Sequence, residues 1–165
     1  MILSFQEVTQ DRWSDFKKLF GARGACGGCW CMYWRIQRKD FDAQRGEKNK
    51  TAMKAIIDNG EVPGILAYHD NKPIAWCSLA PRKNFSVLSR SRILKPVDEQ
   101  PVWSVVCLFI QKSYRRKGVS TAILNAGCDY ARSQGAQIIE GYPVEPDPEK
   151  GIPDAFTWTG IAASY

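Results

Sequence analysis

The chain has 165 residues, a length that fits one domain, and 44% of them are hydrophobic. That is enough for a core that removes roughly 70% of the unfolded chain's surface from water. No apolar run reaches the ~18 residues a membrane helix needs. The opening MILSFQEVTQ has neither a basic stretch nor a small-residue cleavage site, so the reading is a cytoplasmic protein with no membrane partner. A formal net charge of +6 favours anionic partners, whether nucleic acid, anionic lipid or a phosphorylated cofactor, without choosing among them.

In chain order, ILSFQEV reads as a strand. In DRWSDFKKLFG, Trp13, Phe16, Leu19 and Phe20 fall at helical spacing, and Gly21 is placed to end the helix. GACGGCWCMYWR follows, with Cys26, Cys29 and Cys31 among three aromatic residues. RKDFDAQRGEKNK is charged enough for an exposed connection or a helix start, and KTAMKAIIDNG is a short helix stopped by Gly60. PGILAYHD and KPIAWCSLA flank Asp70-Asn71, a hairpin signal. PRKNFSVLSRSRILKPVDEQP is a long basic loop, and VWSVVCLFI is a buried strand rich in β-branched residues. In GVSTAILNAGCDYARSQG, Val119, Ile123, Ala126 and Tyr130 form a helical stripe; AQIIEGYPV is the last strand. The order predicts a single α/β domain over residues 1–165, with a mixed central sheet flanked by helices. Val102 to Val144 form a strand–helix–strand crossover, where ligands favour the strand's carboxyl end.

That crossover carries YRRKGVSTAIL. A buried strand ends at Ile110, a short loop delivers Arg115, Arg116, Lys117 and Gly118, and a helix begins at once. The first turn of a helix offers unpaired N–H groups and a positive dipole end, which together bind phosphate. Gly118 lets the backbone approach a ligand, and Ser120 and Thr121 add hydroxyl donors. The stretch is neither GxxxxGK[ST] nor GxGxxG.

VVCLFIQKSYRRKGVSTAIL resembles the acetyl-CoA motif of the GNAT N-acetyltransferase superfamily, Q/R-x-x-G-x-G/A. Here it is Arg115-x-x-Gly118-x-Ser120, with serine in place of the last glycine or alanine. GGCWCMYWR, SRILKPVD, PVWSVVC and EGYPVEP with PDAFTWTG are also similar to a subgroup of bacterial GNAT proteins. The resemblance implies acetyl-CoA as cosubstrate. Its pantetheine arm would run along the backbone of Leu108, Phe109 and Ile110 in a gap opposite Val144. Its pyrophosphate would lie on the loop formed by Arg115, Arg116, Lys117, Gly118, Val119, Ser120 and Thr121. It implies an acetyl transfer to a small-molecule amine, with a tyrosine on the helix after the fifth strand as general acid. Tyr165, in TGIAASY, falls at that place. Glu140 and Glu145 are the candidates for the base, each equally readable as an ordinary charge.

In this fold the connection between the first two helices walls the acceptor site. Trp30, Tyr33 and Trp34 would supply flat apolar walls, or pack as core, and Arg35 would pair with an acceptor carboxylate. Three cysteines fall short of the four ligands of a structural zinc site, and His69, the one histidine, lies at the hairpin turn, so no metal is expected. A Cys26–Cys29 redox pair is the remaining alternative for the cluster. By comparison with the family, two strands would be lacking after Tyr165. AQIIEGYPV is then expected to be a bare sheet edge, flanked by Ile138, Ile139 and Val144, that pairs two chains into a homodimer. A CoA-binding module without turnover is the second function. A nucleic-acid binder ranks last, because the basic runs contain Asp40, Asp42 and Glu47 and lack a stacking pattern.

Overall fold

The hairpin at Asp70-Asn71 forms the middle of the sheet. Both residues have positive φ (49° and 58°), the backbone of a two-residue turn whose twist matches the strands it joins. It connects β2 (Gly64–His69) to β3 (Lys72–Pro81). This is seen in a computed structural model that describes residues 1–147, 149–153 and 157–165. Pro148 and Asp154–Phe156, the latter part of the PDAFTWTG stretch, lie outside the described residues.

The other elements follow the expected order: β1 (Ser4–Glu7), α1 (Trp13–Phe20), α2 (Arg38–Ala43), α3 (Glu47–Asp58), then the hairpin, β4 (Trp103–Ile110), α4 (Val119–Ser133) and β5 (Ile139–Gly141). The sheet runs β1-β2-β3-β4-β5, antiparallel through β4 and parallel between β4 and β5. The charged stretch after the cysteines is not a simple connection: it makes α2 and opens α3. The long basic loop carries two 3₁₀ turns, Arg82–Asn84 and Leu88–Arg90.

Period-two alternation sends the two faces of the sheet to different layers. Leu66 and Trp76 face α1, where Phe16, Phe20, Trp30, Met32 and Met53 complete a buried cluster. Ile65, Ala67, Cys77 and Leu79 face α4, which contributes Val119, Ile123, Leu124 and Ala131. Ala126 and Tyr130 pack partly buried at the margin of that cluster.

The last strand is shorter than the sequence suggests. Trp103 N–H reaches Ile138 O at 3.0 Å, and pairing then continues only through Gly141. Pro143 has no N–H to offer a ladder. Past Gly141 the chain itself bonds the side of this strand that faces β4: Val144 N–H donates to Gly160 O (2.9 Å), and Ala162 N–H donates to Val144 O (3.0 Å).

Gly64 opens β2 at φ +157°, opposite Ser78, and its carbonyl accepts from Val8 N–H at 3.0 Å. A Cβ there would collide with the Cys77 carbonyl and lie 2.6 Å from Trp76 Cη2. A Gly64→Ala protein should therefore unfold in urea with about 2–4 kcal/mol less stability, from backbone strain and overpacking together. An unchanged midpoint would show that β2 relaxes freely at this position.

Candidate active site

β4 and β5 pair from Trp103–Ile139 to Val105–Gly141 and then part. On its other side β4 carries a bulge. Ser78 faces Cys107 and Leu79 faces Val105, leaving Val106 extra, which bends the strand where the sheet opens. The Val106–Ile110 half of β4 therefore has an edge that β5 does not cover.

That edge ends at the basic loop. Arg116 (φ 57°) and Gly118 (φ 75°, ψ 4°) both take left-handed backbone, which turns the chain sharply into α4. No side chain caps the helix start, and the first intrahelical bond is Ala122 N–H to Gly118 O at 3.1 Å. The amides of residues 119–121 thus lie at the positive end of a 15-residue helix. A Cβ added at Gly118 would meet nothing within 4 Å, so the approach to these amides is open. Arg115 turns its Nε back to Ile110 O at 3.0 Å, bracing the loop against the end of β4. Lys117 Nζ lies 5.8 Å from the centre of the Tyr114 ring.

The gap between β4 and β5 is held by the segment 157–165. Leu108 N–H, expected to face a pantetheine arm, donates to Trp158 O at 2.6 Å. Phe109 turns to the α1 side, 5.7 Å from Phe20, and Ile110 O receives Arg115. Ser164 Oγ donates to Ser120 Oγ at 3.0 Å, so this segment also touches the helix start. Tyr165 packs against Gly141 and Gly160, and its hydroxyl donates to Thr159 O at 3.0 Å. Burial pushes its phenol well above the ordinary tyrosine range.

The aromatic stretch divides. Trp30 belongs to the core: it is 3% exposed, stacked on Phe20 at 5.6 Å, with Trp13 at 6.2 Å. Trp30 and Cys31 both have positive φ, and Met32 after them is buried in the same core. Tyr33 and Trp34 instead meet Trp158, with ring centres 5.1 and 5.8 Å away. Trp158 was not foreseen from the sequence, where it stands in a short, irregular stretch with no periodicity. The loop after β3 clamps this wall: Ser86 Oγ donates to Arg35 O (2.9 Å) and Val87 N–H to Trp34 O (3.2 Å). Arg35 is buried over the Phe85 ring at 4.8 Å, with Nη1 on Glu61 at 2.5 Å.

Glu140 is not a free base. It receives Ser104 Oγ at 2.7 Å, the Tyr142 hydroxyl, and an ion pair from Arg82. Arg82 also donates to Tyr142 Oη at 2.8 Å and to the Leu88 and Leu94 carbonyls. The network ties the basic loop to the paired end of β4 and β5. Burial raises the Glu140 carboxyl, but the bonds from Tyr142, Ser104 and Arg82 outweigh it and hold the group below the usual carboxylate range. Glu145 lies beyond β5, outside this network.

The three cysteines differ in exposure: Cys26 is exposed, Cys29 is half-buried and Cys31 is buried, all three are free thiols, and Cys29 N–H donates to Cys26 O at 3.0 Å. Among the described residues, no three of His, Cys, Asp and Glu are grouped to hold a metal ion. Cys31 faces β3 and β4. A hydrogen bond with the Cys107 thiol, together with the Trp76 indole N–H at 3.3 Å, prevails over burial and lowers its thiol below the usual range.

The acetyltransferase (GNAT) family model matches residues 30–148. The chain belongs to this family of acetyltransferases, and the expected class of enzyme and fold hold. No curated protein matches the sequence significantly. Among solved structures, the fold is similar to the aminoglycoside N-acetyltransferase AAC(6')-Iy in complex with CoA. The two share 14% identity over 90% of this chain and 79% of that one, with a TM-score of 0.57. It is also similar to the aminoglycoside 6'-N-acetyltransferase AAC(6')-Ih from Acinetobacter baumannii, at 16% identity over 84% and 77% of the two chains (TM-score 0.51). A GCN5-related N-acetyltransferase from Ralstonia eutropha JMP134 is 12% identical over 93% of this chain and 99% of its own, with a TM-score of 0.52. Among the described residues no helix is long and apolar enough to cross a membrane.

Because the folded state depresses the Glu140 carboxyl, its contribution to stability is full above the unfolded pKa, near 4.5, and is lost as pH falls through the folded value. A Glu140→Gln protein should be less stable than the parent by roughly 1–3 kcal/mol at pH 7. That difference should shrink in chemical denaturation repeated at pH 3.5. A difference independent of pH would show that the carboxylate's charge contributes nothing to the network.

Proposed function

We propose that this chain transfers the acetyl group of acetyl-CoA to the amine of a small molecule, as one cytoplasmic domain. The observation that carries the reading is the unit from Val105 to Thr121: a strand edge left open by its neighbour, a left-handed Gly118 with clear space in front of it, and an uncapped helix start. In this reading the pyrophosphate lies on the amides of Val119, Ser120 and Thr121, with Arg116 and Lys117 adding charge and Arg115 bracing the loop. The pantetheine arm runs along Leu108 to Ile110, which requires the Leu108–Trp158 bond to open. Ser120 in the place of glycine or alanine leaves a hydroxyl that already has a partner in Ser164, so the arm's entry also separates these two residues. A CoA-bound neighbour, and a second structure of AAC(6')-Iy with a CoA-S-monomethyl-acetylneamine bisubstrate analogue, support the cosubstrate.

At the thioester, the amine attacks the carbonyl carbon and its nitrogen gives up a proton to solvent water, the tetrahedral oxygen needs a donor, the C–S bond breaks, and the thiolate of CoA needs a proton. The Leu108 amide, once released from Trp158, is the donor to that oxygen. Tyr165 is the proposed proton donor, its hydroxyl turning from Thr159 O to the departing sulfur. Glu140 is left out of the chemistry because its oxygens are engaged by Arg82, Ser104 and Tyr142. A CoA-binding module without turnover is separated from an enzyme by thiol release. A homodimer through the outer edge of β5, where Ile138 is 36% exposed, belongs to the same reading and is measured by light scattering.

Two variants test the site. Gly118→Glu places a carboxylate against the pyrophosphate position; its Cβ meets nothing within 4 Å and the left-handed backbone costs about 1–2 kcal/mol, so calorimetry should show acetyl-CoA binding abolished in a folded protein. Unchanged affinity would remove the phosphate assignment. Tyr165→Phe should lower kcat about 100-fold while leaving the KM for acetyl-CoA in place; a loss confined to KM would make the residue a packing element.

A further inference from the structure

Resting on the acetyltransferase reading, we infer that the acceptor carries a carboxylate beside its amine, and that the Nε–Nη2 edge of Arg35 with the Trp34 indole N–H is the site that binds it.

Buried polar side-chain atoms nearly always have a partner, so those without one need an explanation. Among the described residues four such atoms lack one: Trp34 Nε1, Arg35 Nε, Arg35 Nη2 and Asn49 Oδ1. Three of the four are N–H donors on two consecutive residues. The Arg35 side chain is only 3% exposed, and its third nitrogen, Nη1, is spent on Glu61. Nε and Nη2 form the side of the guanidinium whose two parallel N–H bonds match the two oxygens of a carboxylate. The residue is therefore anchored by one nitrogen and presents its bidentate edge unused.

Charge narrows the ligand. Glu61 already balances the guanidinium's charge, so the edge suits a monoanion better than a phosphate dianion. A water molecule would satisfy one N–H group at a time, whereas the two oxygens of a carboxylate meet both N–H groups of the edge at once.

Position ties this edge to the proposed chemistry. Arg35 lies over Phe85, and Trp34 packs on the cluster of Phe85, Leu88 and Val106, against which Cys107 also packs. Cys107 immediately precedes Leu108. A carboxylate on Arg35 thus leaves the rest of a small acceptor on the wall of Tyr33 and Trp34, directed toward the opened part of β4. Trp158 covers that wall: its ring meets Tyr33 and Trp34 and its carbonyl holds Leu108 N–H. The pantetheine arm that breaks the Leu108 bond also frees this wall, so CoA should bind before the acceptor. Such an acceptor is an amino acid or a close relative, unlike the polycationic acceptors of the aminoglycoside enzymes that share the fold.

The test is calorimetry on the whole chain, first with acetyl-CoA, then with CoA saturating and L-phenylalanine, L-glutamate, their amides, phenethylamine and O-phosphoethanolamine as probes. At least one free acid should bind about tenfold or more tighter than its amide. Arg35→Gln should erase that ratio, Arg35→Lys should recover only part of it, and Trp34→Phe should weaken the acid a few-fold. If Arg35→Gln fails to fold, the ratio in the parent protein decides alone. Acetyl-CoA binding accompanied by no advantage for any carboxylate, or by tighter O-phosphoethanolamine binding, would overturn this inference and leave the acetyltransferase reading standing. Failure of acetyl-CoA itself to bind would overturn both.

Discussion

The separation of β4 from β5 is the constraint on which the rest of this molecule depends. A parallel pair that continued past Val105 and Gly141 would satisfy the backbone of β4 and leave no edge for a ligand. The bulge at Val106 bends the strand away on one side, and on the other the pairing with β5 stops at Gly141. Polar backbone is thereby exposed beside an apolar interior, an arrangement that persists only when something else satisfies it. Here the segment 157–165 does so, through Leu108 and Val144. The separation also sets the direction in which β4 runs out to the basic loop, and hence where the uncapped start of α4 is presented.

Holding the two strands together up to that point takes a polar clamp rather than more apolar packing. Arg82, Ser104, Glu140 and Tyr142 bridge β4, β5 and the loop after β3. A buried carboxylate is costly unless it is paired and hydrogen-bonded, and Glu140 is both. The same Arg82 reaches the Leu88 and Leu94 carbonyls, so the loop that holds Trp34 and Arg35 through Ser86 and Val87 is fixed by the clamp as well. Sheet opening and pocket wall are in this way consequences of one hydrogen-bonded group.

Much of this frame was legible in the sequence because it depends on local rules. The Asp70-Asn71 turn, the α4 stripe around Val119 and Ile123, and the glycine before that helix each follow from short-range sterics and periodicity. The site was legible where it is built of consecutive residues, as at Arg115 to Thr121. It was not legible where residues distant in the chain meet. Glu140 has the same appearance in sequence whether it faces solvent or Arg82, 58 positions away. Trp30 and Trp34 look alike as letters, yet one is buried against Phe20 and the other packs beside Phe85 and Trp158. Likewise nothing in the CxxCxC spacing reveals that Cys31 turns from its neighbours to meet Cys107 and Trp76.

Trp158 joins the two halves of the proposed site in a single residue. Its carbonyl closes the cofactor gap at Leu108, and its ring closes the acceptor wall at Tyr33 and Trp34. Any ligand that takes over the Leu108 amide must compete with that bond, and in displacing it loosens the ring stack at the same time. The free energy of the first binding event then includes the cost of moving the segment, while a second ligand meets a wall already opened. Such coupling is reciprocal: an occupant of the wall must favour the gap's opening by the same factor. Two sites that share one plug are thereby linked without any change in the sheet that carries them.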